Sequence, residues 1–181
     1  MDSSIELNAA IVTARLSLEP LRGWHGAQLF EGLSEPRLYR WNSGQPPESV
    51  EALQQRWERF AAHPFVSVGR LLTWAARRTS DGSYIGKLDV VIGEHNVATN
   101  VGYLFFLPFW NQGYATEAVL ALAVHLEHCG IVEQRALVTV GNDASARVLQ
   151  KARFEKTRVL PENETIRGKR YDEVEYVRRV E

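Results

Sequence analysis

The junction VGYLFFLPFWNQGYATEA, residues 101–118, constrains the fold more than any other segment of the chain. Its bulky apolar run is typical of a buried strand, and Pro108 ends that strand because proline has no N–H to donate to a neighbour. Gly113 follows shortly after, and apolar residues at helical spacing then continue to about His128. Because these residues cover more than one side of the helix, the segment predicts a core helix directly after a strand.

The rest of the chain alternates between strand and helix patterns without a linker, a repeat or a low-complexity segment. Strands are predicted at Thr13–Leu21, Gly69–Arg77, Tyr84–Ile92, Asn100–Leu107, Glu133–Val140, Phe154–Leu160 and Tyr171–Val180. Helices are predicted at Arg22–Leu33, at Glu48–Ala62, after Gly113 and after the good N-cap residue Asn142. A loop, Pro161–Arg170, should join the last two strands. A single mixed α/β domain is therefore predicted over residues 1–181.

Composition excludes several classes of function. The formal net charge of −1 provides no field for nucleic acid or anionic lipid. The N-terminal segment lacks the basic and apolar parts of a signal peptide, and no apolar run is long enough to span a bilayer. A single cysteine, Cys129, rules out an intramolecular disulfide. These observations predict a cytoplasmic protein that binds neither nucleic acid nor membrane, and they leave a homodimer open.

The start of the helix after Gly113 has the chemistry of an anion site. A helix N-terminus presents free backbone N–H groups and the positive end of the helix dipole, so it binds phosphate without a cationic side chain. Gly113 and the small Ala115 allow a ligand to approach, and Thr116 offers a hydroxyl. The junction therefore predicts a pyrophosphate cradle, with a plain strand-to-helix turn as the alternative.

Two longer stretches carry a family resemblance. NVGYLFFLPFWNQGYATEAVLALAVHL and, one strand later, GNDASARVLQKARF resemble the acetyl-CoA-binding core of the GNAT superfamily of N-acetyltransferases. Within them, GYATEA and NDASARVLQK are similar to the branch that includes the ribosomal-protein N-terminal (alanine/serine) acetyltransferases. TARLSLEPL and RGKRYDEVEYV resemble that branch's first and last strands. The resemblance implies a GNAT-like fold, with a mostly antiparallel central sheet splayed between its fourth and fifth strands and about four flanking helices.

The same resemblance implies acetyl-CoA as co-substrate, with no metal. Its pantetheine arm would pair with the backbone at the end of the fourth strand, and its pyrophosphate would lie on the amides of the cradle. Asn142 would hydrogen-bond the pantetheine, and Ser145 would lie near the thioester sulfur. The expected cofactor-binding residues are Phe105, Phe106, Leu107, Gln112, Gly113, Tyr114, Ala115, Thr116, Asn142 and Ser145.

Three positions depart from the family's pattern. Trp110 takes the place of the Gln or Arg that begins the cradle motif in the superfamily. Leu149 stands where many members carry a Tyr that protonates the leaving thiolate, and Asn100 stands where the branch often has a glutamate base. The proton donor and the general base are therefore expected to be other groups.

Ser145, or an ordered water, is the expected proton donor for the thiolate. Asp89, on the strand next to the splayed one, is the expected general base, with a solvated edge charge as the alternative. A backbone N–H near Phe106 is expected to hold the oxyanion. Direct attack needs no covalent enzyme intermediate, so Cys129 is interpreted as a core thiol.

The implied activity is transfer of an acetyl group to a primary amine, either a protein N-terminus or a small-molecule amine, inside a ternary complex. The alternative is a catalytically weak acyl-CoA-binding protein that keeps the fold, suggested by Asn100 and Leu149. By resemblance, the acceptor would enter between Tyr39–Pro47 and the Pro161–Arg170 loop. Tyr39 and Trp41 would form aromatic walls there, and Glu162 and Glu164 could attract a cation, although exposed loop acid is the alternative.

Overall fold

The computed structural model describes residues 6–180, so residues 1–5, where the segment inspected for a signal peptide begins, lie outside the described residues. Within that range the strands are β1 (Ile11–Val12), β2 (Leu16–Pro20), β3 (Phe65–Val66), β4 (Gly69–Arg78), β5 (Tyr84–Ile92), β6 (Val97–Phe105), β7 (Glu133–Thr139), β8 (Glu155–Ile166) and β9 (Lys169–Arg179). The α-helices are α1 (His25–Leu33), α2 (Val50–Ala62), α3 (Tyr114–His128) and α4 (Asp143–Lys151).

All the main strands form one sheet in the order β1-β2-β4-β5-β6-β7-β9-β8, with β3 paired to the start of β4. Helices α1 and α2 pack on one face, where Leu29, Leu53 and Trp57 are buried. Helices α3 and α4 pack on the other face, where Leu122 and Leu149 are fully buried. The predicted mixed α/β class and GNAT-like architecture are confirmed.

The pair β6 and β7 is parallel, whereas the neighbouring pairs are antiparallel. Their register joins Val97 to Glu133 and Ala98 to Gln134, and within the described chain the two strands separate beyond those residues. These are the fourth and fifth strands of the predicted set, so the predicted splay is confirmed. Because β6 leads into α3 and β7 leads into α4, both helix N-termini follow the open end of the gap.

Several boundaries differ from the sequence prediction. The first predicted strand is divided at a turn, where Thr13 N–H donates to Leu16 O at 2.8 Å, and β6 ends at Phe105 because a 3-10 turn, Leu107–Phe109, follows. The predicted Pro161–Arg170 loop is wrong. Most of it is strand, and β8 and β9 meet at Arg167 and Gly168, whose φ angles of 48° and 80° suit a tight hairpin turn.

Candidate active site

The helix start at Gly113 has the backbone geometry expected of an anion cradle. Gly113 is the N-cap of α3 with φ 83° and ψ −1°, and no side chain caps the helix there. A left-handed residue at this position favours glycine because a Cβ is strained at such φ. The first amides of α3 are thus left to a ligand, as the sequence predicts.

The guanidinium of Arg15, in the turn before β2, lies beside this cradle. The sequence prediction did not include this residue. Arg15 donates from Nη1 to Gln112 O at 3.0 Å and from Nε to Glu117 Oε2 at 2.6 Å, and it lies 4.4 Å from the Tyr114 ring centroid. Burial raises the pKa of Glu117, but hydrogen bonds from Thr13 and Arg15 outweigh it and hold that pKa below its ordinary value. The half-exposed Arg15 therefore fixes the turn and adds positive charge to its edge.

The cradle residues contribute backbone more than side chains. The Tyr114 ring is buried in the core and packs edge-on against Phe109, with centroids 6.2 Å apart. The Gln112 side chain turns back to donate to Pro108 O at 2.7 Å. Ala115 packs against the core, and Thr116 is half-buried in the first helical turn. What the segment offers a ligand is thus its row of amides.

The end of β6 is partly occupied by its own hydrogen bonds. Phe106 N–H donates to Ile85 O at 2.9 Å, so it faces β5 and is not open to hold an oxyanion, contrary to the expectation. Strand alternation turns the N–H and C=O of Phe105 to the gap instead. The Trp110 indole, in place of the family's Gln or Arg, donates to Phe105 O at 2.5 Å. Leu107 and the Phe106 ring pack against the α1–α2 face.

The start of α4 carries the predicted side chains. Asn142 caps the helix, its Oδ1 accepting from Ser145 N–H at 3.3 Å, which leaves its amide nitrogen as the group to meet pantetheine. Ser145 Oγ lies 2.7 Å from the hydroxyl of Tyr103, a gap-side residue of β6 that the sequence prediction missed. The Tyr103 hydroxyl oxygen also lies 3.1 Å from Ser145 O. Burial raises the pKa of Tyr103 to about 12.

Trp41 lies at the end of β7, next to the start of α4. Thr139 donates from its hydroxyl to Trp41 O at 2.9 Å, and a Cβ on Gly141 would lie 3.0 Å from the Trp41 ring. Its half-buried ring is therefore positioned against the strand end that precedes Asn142. This placement is compatible with the prediction that the Trp41 ring lines the acceptor site.

Tyr39, predicted as the second aromatic wall, is a core residue. Its side chain is 5% exposed, and its hydroxyl donates to Leu33 O at 2.8 Å. The loop that follows covers its ring, since a Cβ on Gly44 would lie 3.0 Å from Tyr39 Cδ1. Tyr39 O accepts from Arg167 at 3.1 Å, which ties the β8–β9 hairpin to this segment. Tyr39 is therefore a packed core residue, which contradicts its predicted role as an exposed wall for an acceptor.

Asp89, the predicted base, lies on the α1–α2 face. Its Oδ1 is 2.5 Å from Lys87 Nζ, and its Oδ2 lies 2.6 Å from where a Cβ on Gly102 would be. Tyr103 follows Gly102 and packs against the α3–α4 face, so the β6 backbone separates Asp89 from Ser145. An acceptor approaching from the α1–α2 face would meet Asp89, but the carboxylate is already paired with a cation.

A second carboxylate on that face, Glu173, was missed from the sequence. It is 6% exposed, lies opposite Thr139 in the β7–β9 pairing, and accepts from Asn163 Nδ2 at 2.6 Å. Burial raises its pKa, Asn163 lowers it, and Glu164 raises it. Its neighbour Glu175 differs because Arg158 pairs with it at 3.0 Å and, as the largest influence, lowers its pKa. Among the described residues Glu173 has no ion-pair partner.

Residues 15–155 match the family model described as Acetyltransferase (GNAT) domain. The chain belongs to the GNAT family. By class this GNAT protein is therefore an acetyl-CoA-dependent N-acetyltransferase. It is 26% identical over 166 residues to "Uncharacterized N-acetyltransferase YoaA" of Bacillus subtilis (strain 168), covering 88% of this chain and 90% of that protein.

Solved structures share the fold of this GNAT domain. RimL, a ribosomal L7/L12 α-N-protein acetyltransferase solved with coenzyme A, superposes with a TM-score of 0.82 at 19% identity, covering 94% of this chain and 98% of that one. An acetyltransferase of Salmonella typhimurium that modifies the N-terminal serine of ribosomal protein L7/L12 superposes with a TM-score of 0.80 at 18% identity. The match covers 95% of this chain and 99% of that one. The structural neighbours thus include members of the branch that the motifs resemble.

Two features are absent from residues 6–180. None of the helices there is long and apolar enough to cross a bilayer. No group of three or more His, Cys, Asp or Glu side chains in that range is arranged to hold a metal ion.

Proposed function

We propose that this protein transfers the acetyl group of acetyl-CoA to a primary amine, on a protein N-terminus or a small molecule, by direct attack in a ternary complex. One observation carries the proposal. The parallel strands β6 and β7 diverge, and the N-termini of α3 and α4 both follow the open end of the gap. If the pyrophosphate of acetyl-CoA lies at Gly113, its thioester would reach Ser145 through that gap.

The cofactor residues divide by kind of contact. The amides from Gln112 to Thr116 would bind the pyrophosphate, with Arg15 at the edge of the cradle. The gap-side C=O of Phe105, through the lone pair that the Trp110 indole leaves open, and the Asn142 amide would hydrogen-bond the pantetheine arm. Phe106, Leu107 and Tyr114 would serve through backbone and packing, because their side chains point into the two cores.

For the chemistry, acetyl-CoA supplies a thioester carbonyl, and the chain supplies a base, an oxyanion donor and a partner for the sulfur. We propose Glu173 rather than Asp89 as the base, because it is buried, has a raised pKa and has no cationic partner among residues 6–180. The Phe105 N–H replaces that of Phe106 as the proposed oxyanion donor. The Ser145 hydroxyl would hydrogen-bond the sulfur as the carbon–sulfur bond breaks.

The acceptor would lie between Trp41 and the end of β7 on the α1–α2 face. Glu164 and Glu173, close enough for one to raise the pKa of the other, would attract a protonated amine there. Two structural neighbours act on ribosomal protein L7/L12, so peptides from ribosomal-protein N-termini are the first acceptors to test. We place the reaction in the cytoplasm, in keeping with the lone cysteine.

Release of free CoA tests the proposal. The protein would be incubated with acetyl-CoA and a panel of N-terminal peptides and small amines, and free thiol measured with time. We expect at least one amine to accelerate release catalytically, and acetyl-CoA at a hundredfold excess over its Kd to stabilise the fold by about 2.7 kcal/mol. Stabilisation without turnover on any amine would favour a catalytically weak acyl-CoA-binding protein. Absence of both would contradict the proposal.

A further inference from the structure

We infer that Tyr103 is a positioning residue for Ser145: its phenol donates to Ser145 Oγ, so that the one proton of the serine hydroxyl points at the leaving sulfur. This inference rests on the proposed function. Many family members have a tyrosine on α4 where this chain has Leu149. Here Tyr103 brings a phenol to the start of α4 from β6 instead.

The contact itself is specific. Tyr103 Oη lies 2.7 Å from Ser145 Oγ, a normal distance for a bond between two hydroxyls. Leu149 is 0% exposed and packs in the core below, so the leucine brings no proton donor to the gap. Side chains of β6 alternate between the two faces of the sheet, so Tyr103 lies on the α3–α4 face while Leu104 lies on the α1–α2 face. Tyr103 can reach Ser145 because β6 is not paired to β7 beyond Ala98.

Two hydrogen-bond arrangements fit these distances. In one, Ser145 donates to Tyr103, which donates to Ser145 O at 3.1 Å, and no proton remains for a ligand. In the other, Tyr103 donates to Ser145 Oγ, and the serine proton is free. Negative charge that develops on sulfur favours the second arrangement, because a chain of two donors then ends on that charge.

Neither hydroxyl transfers its proton permanently to the thiolate. The pKa of Tyr103 is about 12, whereas a thiol titrates at about 8.5, so moving the phenol proton to the thiolate is unfavourable by about three orders of magnitude. Tyr103 therefore stays protonated and acts through hydrogen bonding. The carbon–sulfur bond breaks, its electron pair remains on sulfur, and the thiolate is stabilised until it takes a proton from the acetylated ammonium or from water.

The test uses Tyr103→Phe, which removes only the hydroxyl, in the parent and in a Ser145→Ala background. We expect kcat to fall about tenfold in the parent background, with the KM for acetyl-CoA unchanged, and to fall no further in the Ser145→Ala background. Tyr84→Phe is the matched control, because Tyr84 also bonds a side-chain oxygen at 2.7 Å and has a pKa of about 12, but lies on the α1–α2 face. Tyr84→Phe should lower stability and leave kcat and KM unchanged.

A second readout does not depend on turnover. The thiol pKa of CoA bound to the protein, followed by the ultraviolet absorbance of the thiolate, should be about half a unit to one unit higher in Tyr103→Phe than in the parent. Equal kcat and equal thiol pKa in parent and variant, or equal losses of kcat in both backgrounds, would overturn the role of Tyr103 while leaving the proposed function intact. A parent protein that releases no CoA with any amine would overturn both.

Discussion

The two helix starts at the gap are built in different ways. At α3, a left-handed glycine exposes backbone amides, and the nearby side chains point into the core or back to the chain. At α4, by contrast, an asparagine caps the helix, and the groups that matter are hydroxyls in mutual contact. The difference indicates a division of labour, in which the α3 start binds the cofactor and the α4 start acts on the reacting atoms.

Gly113→Asp should break the α3 start and have the largest effect on cofactor affinity. It places a negative side chain where the pyrophosphate would approach, so we expect acetyl-CoA affinity to fall by at least about a hundredfold in calorimetry. Gly130→Asp is the matched control, because Gly130 has φ 84°, like the 83° of Gly113, and has nothing within 4 Å of its added Cβ. Equal affinity in Gly113→Asp and the control would place the cradle elsewhere.

Glu173→Gln removes the carboxylate of the proposed general base and tests whether catalysis depends on it. We expect kcat to fall by about a hundred- to ten-thousandfold, as for loss of a general base, with little change in cofactor affinity. The parent's kcat/KM should rise with pH through the raised pKa of Glu173, since only the carboxylate accepts a proton, and the variant should lack this rise. Glu175→Gln, which breaks the Arg158 ion pair, should cost stability only. If Glu173→Gln keeps the parent's pH profile, Asp89 becomes the stronger candidate.

The same contrast explains what the sequence could predict. Gly113, Asn142 and Ser145 belong to contiguous motifs with local backbone requirements, and the structure places all three at the gap. Arg15 in the turn before β2, Tyr103 in β6 and Glu173 in β9 reach the candidate site from separate parts of the chain, and no local pattern marks them. Arg15 precedes Gln112 by nearly a hundred residues, and Tyr103 resembles any aromatic residue of a buried strand. Only the sheet order and the face of each residue bring these side chains together.

Arg15→Gln sharpens the comparison with a smaller effect. The guanidinium holds Gln112 O and adds charge beside the cradle, but it is half-exposed, so we expect acetyl-CoA affinity to fall only about three- to tenfold. Arg77→Gln is a close control, since Arg77 is similarly exposed, pairs with Glu19 and lies over the Tyr84 ring. A loss in both variants alike would mean a general charge effect rather than a contact at the cradle.

The smallest effect concerns stability. Glu173 has a raised pKa in the folded protein, so its ionisation destabilises the fold as pH rises from the ordinary glutamate value of 4.5 through the raised one. Glu173→Gln should therefore raise Tm by about 2 °C at pH 7 and by less at pH 4. Thermal denaturation at both pH values measures this difference, and a variant less stable than the parent at pH 7 would argue that the carboxylate serves a structural purpose.

The division of labour is tested most directly by titrating acetyl-CoA into the parent, Gly113→Asp and Ser145→Ala proteins and measuring kcat with an accepted amine. We predict that Gly113→Asp loses detectable binding. Ser145→Ala should bind acetyl-CoA within about twofold of the parent while its kcat falls by about ten- to a thousandfold. A Ser145→Ala protein that loses affinity but keeps kcat would contradict the account, since Ser145 would then bind cofactor and take no part in catalysis.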